Sequence, residues 1–239
     1  MFLRVTVMQN CLLNSKLTPC QQEIYDLVSD RLALCEPTII IINAEPGSGL
    51  STLMENVANS VDAAFIPITS RPAISGRNML EAFYYHLGLG AEGISHRAPI
   101  PAFVSPLITL QSIVGVLIED VDDFAVTIPM RKMTIGHLSK IASTLPGISL
   151  IISQTLSRWD RDRSIRHKDI EGPQRRDEYY LRSFSSLAQY ADHFQGVTAS
   201  LGLPDVSSLK LKQLYEVTEG NLALTIQYLC HPLLKRKWE

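Results

Sequence analysis

The stretch Thr38 to Thr52, Thr-Ile-Ile-Ile-Ile-Asn-Ala-Glu-Pro-Gly-Ser-Gly-Leu-Ser-Thr, constrains this chain more than any other. Its β-branched run shows no polar alternation, which predicts a strand buried on both faces, as in a parallel sheet covered by helices. The run feeds into a Gly/Pro/Ser turn and then into a helix-compatible segment. Strand, glycine turn and helix in this order form a phosphate loop, whose backbone N–H groups and helix N-terminus surround an anion. The pattern G-x-x-x-x-G-K-[ST] falls on Ala44 to Ser51 with two letters changed: Ala44 replaces the first glycine and Leu50 the lysine. Gly47, Ser48, Gly49, Leu50, Ser51 and Thr52 are therefore the cofactor-binding candidates, with the Ser51 hydroxyl as a magnesium ligand. Losing the lysine removes a charge-assisted contact of about 1.5–3 kcal/mol, so ATP and Mg are expected to bind weakly or not at all.

A second chemical feature follows the predicted buried strand Val114 to Ile118, which runs into Glu119-Asp120-Val121-Asp122-Asp123. In α/β sheets, ligands sit at the carboxyl ends of parallel strands. P-loop enzymes place there an Asp for magnesium, often with a Glu that activates the attacking water. Here the order is reversed, making Glu119 the metal candidate and Asp120 the catalytic one. Each carboxylate is then displaced by about a methylene, and a ~1 Å error can cost ~10²-fold in rate. Asp122 and Asp123 read as turn or helix-cap groups. A further strand, Ile148 to Ile152, ends in Ser153-Gln154-Thr155, whose polar side chains are candidates for sensing a γ-phosphate.

The whole chain reads as an α/β fold, a parallel five-stranded sheet between helices with a small helical lid at its end. Residues 1–187 form the core, with 1–17 as an N-terminal extension, and 188–239 the lid with the basic tail Lys235-Arg236-Lys237. Thr18-Pro19 marks a helix start by N-cap and first-turn proline. Helices are expected at Ser51–Ser60, Arg77–Leu89 and Thr134–Leu145, with a second strand at Ala63–Thr69. Gly88 to Pro106 is expected to be a long connection, and Phe184 to Leu187 the fifth strand. Three helices follow, at about Ala188–Leu201, Ser207–Val217 and Asn221–Leu234.

With 239 residues and a formal net charge of −2, the chain is not a uniformly basic nucleic-acid binder, so DNA contacts need a local patch. The candidates are the tail Lys235 to Lys237 and the segment Arg158 to Arg182, where eight Lys or Arg lie among six acids and Trp159, Tyr179 and Tyr180, and whose alternative reading is a solvated surface run. Arg161, Arg163 and Arg166 are its DNA candidates. No apolar run spans a bilayer and the first twenty residues lack signal-peptide features, so no membrane partner and a cytoplasmic location are expected. Four cysteines without C-x-x-C spacing give no metal or disulfide framework.

In order, these parts resemble the AAA+ ATPases, and among them the TniB and TnsC transposition regulators, relatives of the ExeA-type and MuB ATPases. The matching residues run from His137-Leu138 to Thr155, then Leu181-Arg182-Ser183-Phe184. In the lid they are Leu201-Gly202-Leu203-Pro204 and Thr218-Glu219-Gly220-Asn221-Leu222. The resemblance implies a regulator of DNA transposition that forms homo-oligomers, or hetero-oligomers with an AAA+ paralogue, on non-specific duplex DNA. Its protein partners would be a transposase and a target selector. Arg182 matches an arginine near the subunit interface, and Thr155 a sensor position. Ala44, Leu50, the Glu119-Asp120 order and the lack of arginine in Asn221–Leu229 all point to impaired ATP hydrolysis. An active ATP-dependent switch and a clamp-loader-like structural subunit are the alternatives.

Overall fold

The structure, a computed structural model, describes residues 17–59, 64–69, 78–89, 98–156, 164–200 and 206–230. Arg161, Arg163, the Gly202-Leu203-Pro204 break and the basic tail lie outside them. The chain divides into two compact units, one of residues 26–44 and 56–180, the other of 1–25, 45–55 and 181–239.

The first unit holds the sheet. Its strands are β1 (Thr38–Ala44), β2 (Ala64–Thr69), β3 (Ile113–Glu119), β4 (Ser149–Thr155) and β5 (Arg175–Leu181), in the spatial order β2-β3-β4-β1-β5. β1 pairs in parallel with β4, placing Ile39 to Ala44 opposite Leu150 to Thr155, and β3 pairs in parallel with both β4 and β2. All seven residues of β1 are buried, as a strand covered on both faces requires. One face carries Ile39, Ile41, Ile66, Ile68, Val116, Ile118, Leu150 and Ile152. They pack with Phe83 and Tyr84 of α3 (Met79–His86), Val104 and Ile108 of α4 (Val104–Leu110), and Leu138 and Ile141 of α5 (Ile128–Thr144).

Local chemistry sets these helix starts. Asn78 and Glu81 form a reciprocal capping box on α3. The Met130 N–H donates to Thr127 Oγ1 at the start of α5, with Pro129 in its first turn. α5 begins at Ile128 rather than Thr134 because Val126, Ile128 and Met130 face solvent, so apolar spacing does not mark this turn. α4 begins in the last residues of the expected long connection and runs past it, with Pro106 in its first turn, where the missing N–H costs nothing.

The fifth strand corrects the expectation. It is Arg175–Leu181, not Phe184–Leu187. The sequence Arg-Arg-Asp-Glu-Tyr-Tyr-Leu reads as charged surface, but an edge strand has one neighbour, and all six residues before Leu181 are half-buried or exposed. Charges on an edge also oppose pairing with another chain. Asp177 accepts from Arg31 Nε at 2.9 Å, tying β5 to the helix α1 (Pro19–Ala33).

The second unit contains the glycine turn, α6 (Leu187–Ser200), α7 (Ser208–Thr218) and α8 (Leu222–Cys230). Tyr190, Phe194, Val197, Leu211, Leu214 and Leu222 form its core, with the Phe184 ring edge-on to Tyr190 at 5.3 Å. The Tyr190 hydroxyl shares a 2.8 Å hydrogen bond with Thr225 Oγ1, and burial raises its pKa.

Candidate functional site

In the second unit, the turn after β1 has glycines at the positions that need them: Gly47 has φ +75° and Gly49 φ +86°. Every carbonyl from Glu45 to Gly49 accepts a hydrogen bond. Ser48 N–H and Oγ donate to Glu45 O at 3.1 and 2.7 Å, and Asn221 Nδ2 donates to Pro46 O at 2.7 Å. Ala223 N–H donates to Gly47 O at 3.0 Å. Gln21 Nε2 donates to Ser48 O at 3.2 Å and to Gly49 O at 2.8 Å. Across a trans peptide the N–H points opposite to the preceding carbonyl. With no cis bonds in the described chain, the N–H groups of Gly47, Gly49 and Leu50 therefore face away from Asn221 and Gln21. These N–H groups and the N-terminus of α2 (Leu50–Asn59) are the elements from which a backbone anion cradle is made.

The cradle fits a phosphate group, but it brings no side-chain cation from the lysine position. Leu50 is 8% exposed and belongs to the core. Ser51, the proposed metal ligand, is exposed in the first turn of α2, with Thr52 half-buried beside it. Glu45 turns its carboxylate to the Ser183 N–H at 2.9 Å while its own N–H donates to Leu181 O. A cavity of about 220 Å³ lies in the same unit, lined by Thr18, Glu23, Ser48, Arg182, Phe184 and Leu222 among others. Arg182 therefore shares this unit with the loop candidates Gly47 to Thr52.

The acidic strand end belongs to the first unit. Glu119 and Asp120 are half-buried at the end of β3, with Glu119 opposite Thr69 of β2. Asp120 adopts φ +49°, uncommon outside glycine but tolerated by aspartate. Its N–H donates to Ser153 Oγ at 3.1 Å, and Asp122 Oδ2 accepts the Thr155 N–H at 2.7 Å. Ser153 and Thr155 thus shape the acidic turn. Gln154 is fully buried and faces elsewhere: Nε2 donates to Asn43 Oδ1 and Ile165 O, and Oε1 accepts the Ile165 N–H. Asn43 passes the chain on to Glu178 Oε1 at 2.6 Å, and Glu178 meets His167 Nδ1 at 3.0 Å. This network, which joins the carboxyl ends of β4 and β1 to the middle of β5, has one trace in the sequence, a lone asparagine closing an isoleucine run. Among the described residues no three His, Cys, Asp or Glu side chains cluster as a metal site. Of the basic candidates, Arg166 is exposed next to exposed Lys168.

No protein-family model and no curated protein matches the sequence. Solved structures match by shape. A Walker-type ATPase of Pyrococcus abyssi gives a TM-score of 0.61 at 12% identity, covering 91% of this chain and 70% of that one. The fold is that of the AAA+ P-loop ATPases. Cdc6p from Pyrobaculum aerophilum matches at 0.58 and 13% identity, over 95% of this chain and 65% of its own. Drosophila ORC, in a structure bound to DNA, matches at 0.60 and 11% identity, over 92% and 56%. The chain thus spans between 56% and 70% of the length of these proteins. No helix of the described residues is long and apolar enough to cross a membrane.

Proposed function

We propose that the chain is an AAA+ -type assembly factor of DNA transposition, one that forms oligomers on duplex DNA and links target selection to a transposase without turning over ATP. The observation that carries the non-hydrolysing part is Leu50, which fills a core position where the loop's lysine would otherwise reach phosphate. The cradle of Gly47, Gly49 and Leu50 N–H groups remains able to take a phosphate weakly; Ser51 in the same unit and Glu119 in the other are each a candidate magnesium ligand. Asp120 is the remaining candidate for activating water. The transposition part rests on the order of sequence motifs shared with TniB and TnsC. Its partners would be a transposase, a target selector and further AAA+ subunits, with Arg182 at a subunit contact and Thr155 as sensor.

DNA binding by a chain of near-zero net charge must come from local cations and be multiplied by oligomerisation. Replacing Arg161, Arg163 and Arg166 together by alanine is expected to weaken binding to all duplexes alike. Each lost phosphate contact lowers the slope of log K against log salt by about 0.9, so three lower it by about 2.7. Fluorescence anisotropy on two unrelated duplexes over a salt series measures both quantities. Unchanged affinity at every salt concentration would remove this segment from the DNA interface.

A further inference from the structure

The amides that hold the glycine turn come from distant parts of the chain. Gln21 lies in the first turn of α1, and Asn221 directly precedes α8. Each has two separable jobs. Gln21 Oε1 accepts the Thr18 N–H at 2.8 Å and its N–H donates to Thr18 Oγ1, which makes a capping box. Its Nε2 donates to the loop carbonyls of Ser48 and Gly49. Asn221 Oδ1 accepts the Leu224 N–H at 3.0 Å as the cap of α8, while Nδ2 donates to Pro46 O. The same two side chains occupy the space beside the glycines. A Cβ on Gly47 would lie 2.6 Å from Asn221 Nδ2, and one on Gly49 would meet Gln21 Nε2 and lie 2.7 Å from Leu222 Cδ2.

We propose that Gln21 and Asn221 form a latch that holds the glycine loop in its anion-binding shape and makes the loop and the start of α8 a single moving part. Both amides use their oxygen for a helix cap and their nitrogen for the loop. The loop's shape is then set by the protein itself rather than by a bound phosphate. Any ligand that moves the loop must move α8 with it, through the Asn221 Nδ2 and Ala223 N–H bonds. This holds whether or not nucleotide binds.

The amide-to-acid swaps Gln21→Glu and Asn221→Asp separate the two jobs. Each keeps an oxygen for the cap, and aspartate is as good an N-cap as asparagine. Each replaces the nitrogen donor by a second oxygen facing a loop carbonyl. Amide hydrogen exchange by NMR on the full chain reads the result. For Asn221→Asp we expect the Ser48 and Ala223 amides to exchange at least ten-fold faster, with Leu224 and the α7 amides unchanged. For Gln21→Glu we expect the same rise at Ser48, with Gln21 still protected by Thr18. Parent-like exchange at Ser48 and Ala223 in both variants overturns the latch. A uniform rise across α7 and α8 also overturns it, since that reports loss of the helical unit's stability.

Discussion

Gly49→Ala is expected to destabilise the chain by about 3 kcal/mol, lowering Tm by about 6–12 °C at the usual 2–4 °C per kcal/mol for a chain of this size. Part of the loss is backbone. At φ +86° an L-residue costs roughly 1–2 kcal/mol. The larger part is displacement. The new Cβ collides with Gln21 Nε2 and lies 2.7 Å from Leu222 Cδ2, so the Gln21 bonds to Ser48 O and Gly49 O are lost at about 0.5–1.5 kcal/mol each. Gly88 supplies the control, because it has φ +74° yet a Cβ there meets nothing within 4 Å. Gly88→Ala should lose only the backbone share. Thermal unfolding of the two variants measures the difference, and equal losses would show that Gln21 and Leu222 do not restrain the loop.

Leu50→Lys should raise affinity for ATP with magnesium by ten-fold or more. One decade is ~1.4 kcal/mol, and a charge-assisted phosphate contact contributes about 1.5–3 kcal/mol. The same substitution should lower the stability of the unliganded chain, because Leu50 is only 8% exposed. A fully buried leucine contributes about 1.5–3 kcal/mol, and the lysine stem recovers part of this by lying along the apolar surface with its ammonium in water. Weaker folding without nucleotide and tighter binding with it therefore go together. Isothermal titration and a melt of the same sample read both. Lower stability with no gain in affinity would mean that the cradle does not accept phosphate.

The legible part of this fold was the part dominated by short-range pattern. An unbroken β-branched run, glycines and a following helix announce β1, its turn and α2, and the isoleucine-rich segments mark β3 and β4. The fifth strand was hidden because an edge strand keeps charges on its open side, so Arg175 to Tyr180 resemble a solvated run. What holds the candidate site was illegible for a different reason. Gln21 is 27 residues from Ser48 and Asn221 is 175 from Pro46, and both read locally as helix-start residues. Asn43, Gln154 and Glu178 likewise become a network only when β4, β1 and β5 lie side by side. The sequence signals which residues carry chemistry through their types; it does not signal which distant amides fix them in place.

Whether this AAA+ fold turns over ATP is read by steady-state hydrolysis. Parent chain and the Glu119→Gln, Asp120→Asn double variant are compared at saturating ATP and magnesium, with and without duplex DNA. The same rate is expected for both, at the level of the protein-free background. A parent rate clearly above that of the double variant under either condition would contradict it and make the acidic strand end a working catalytic site.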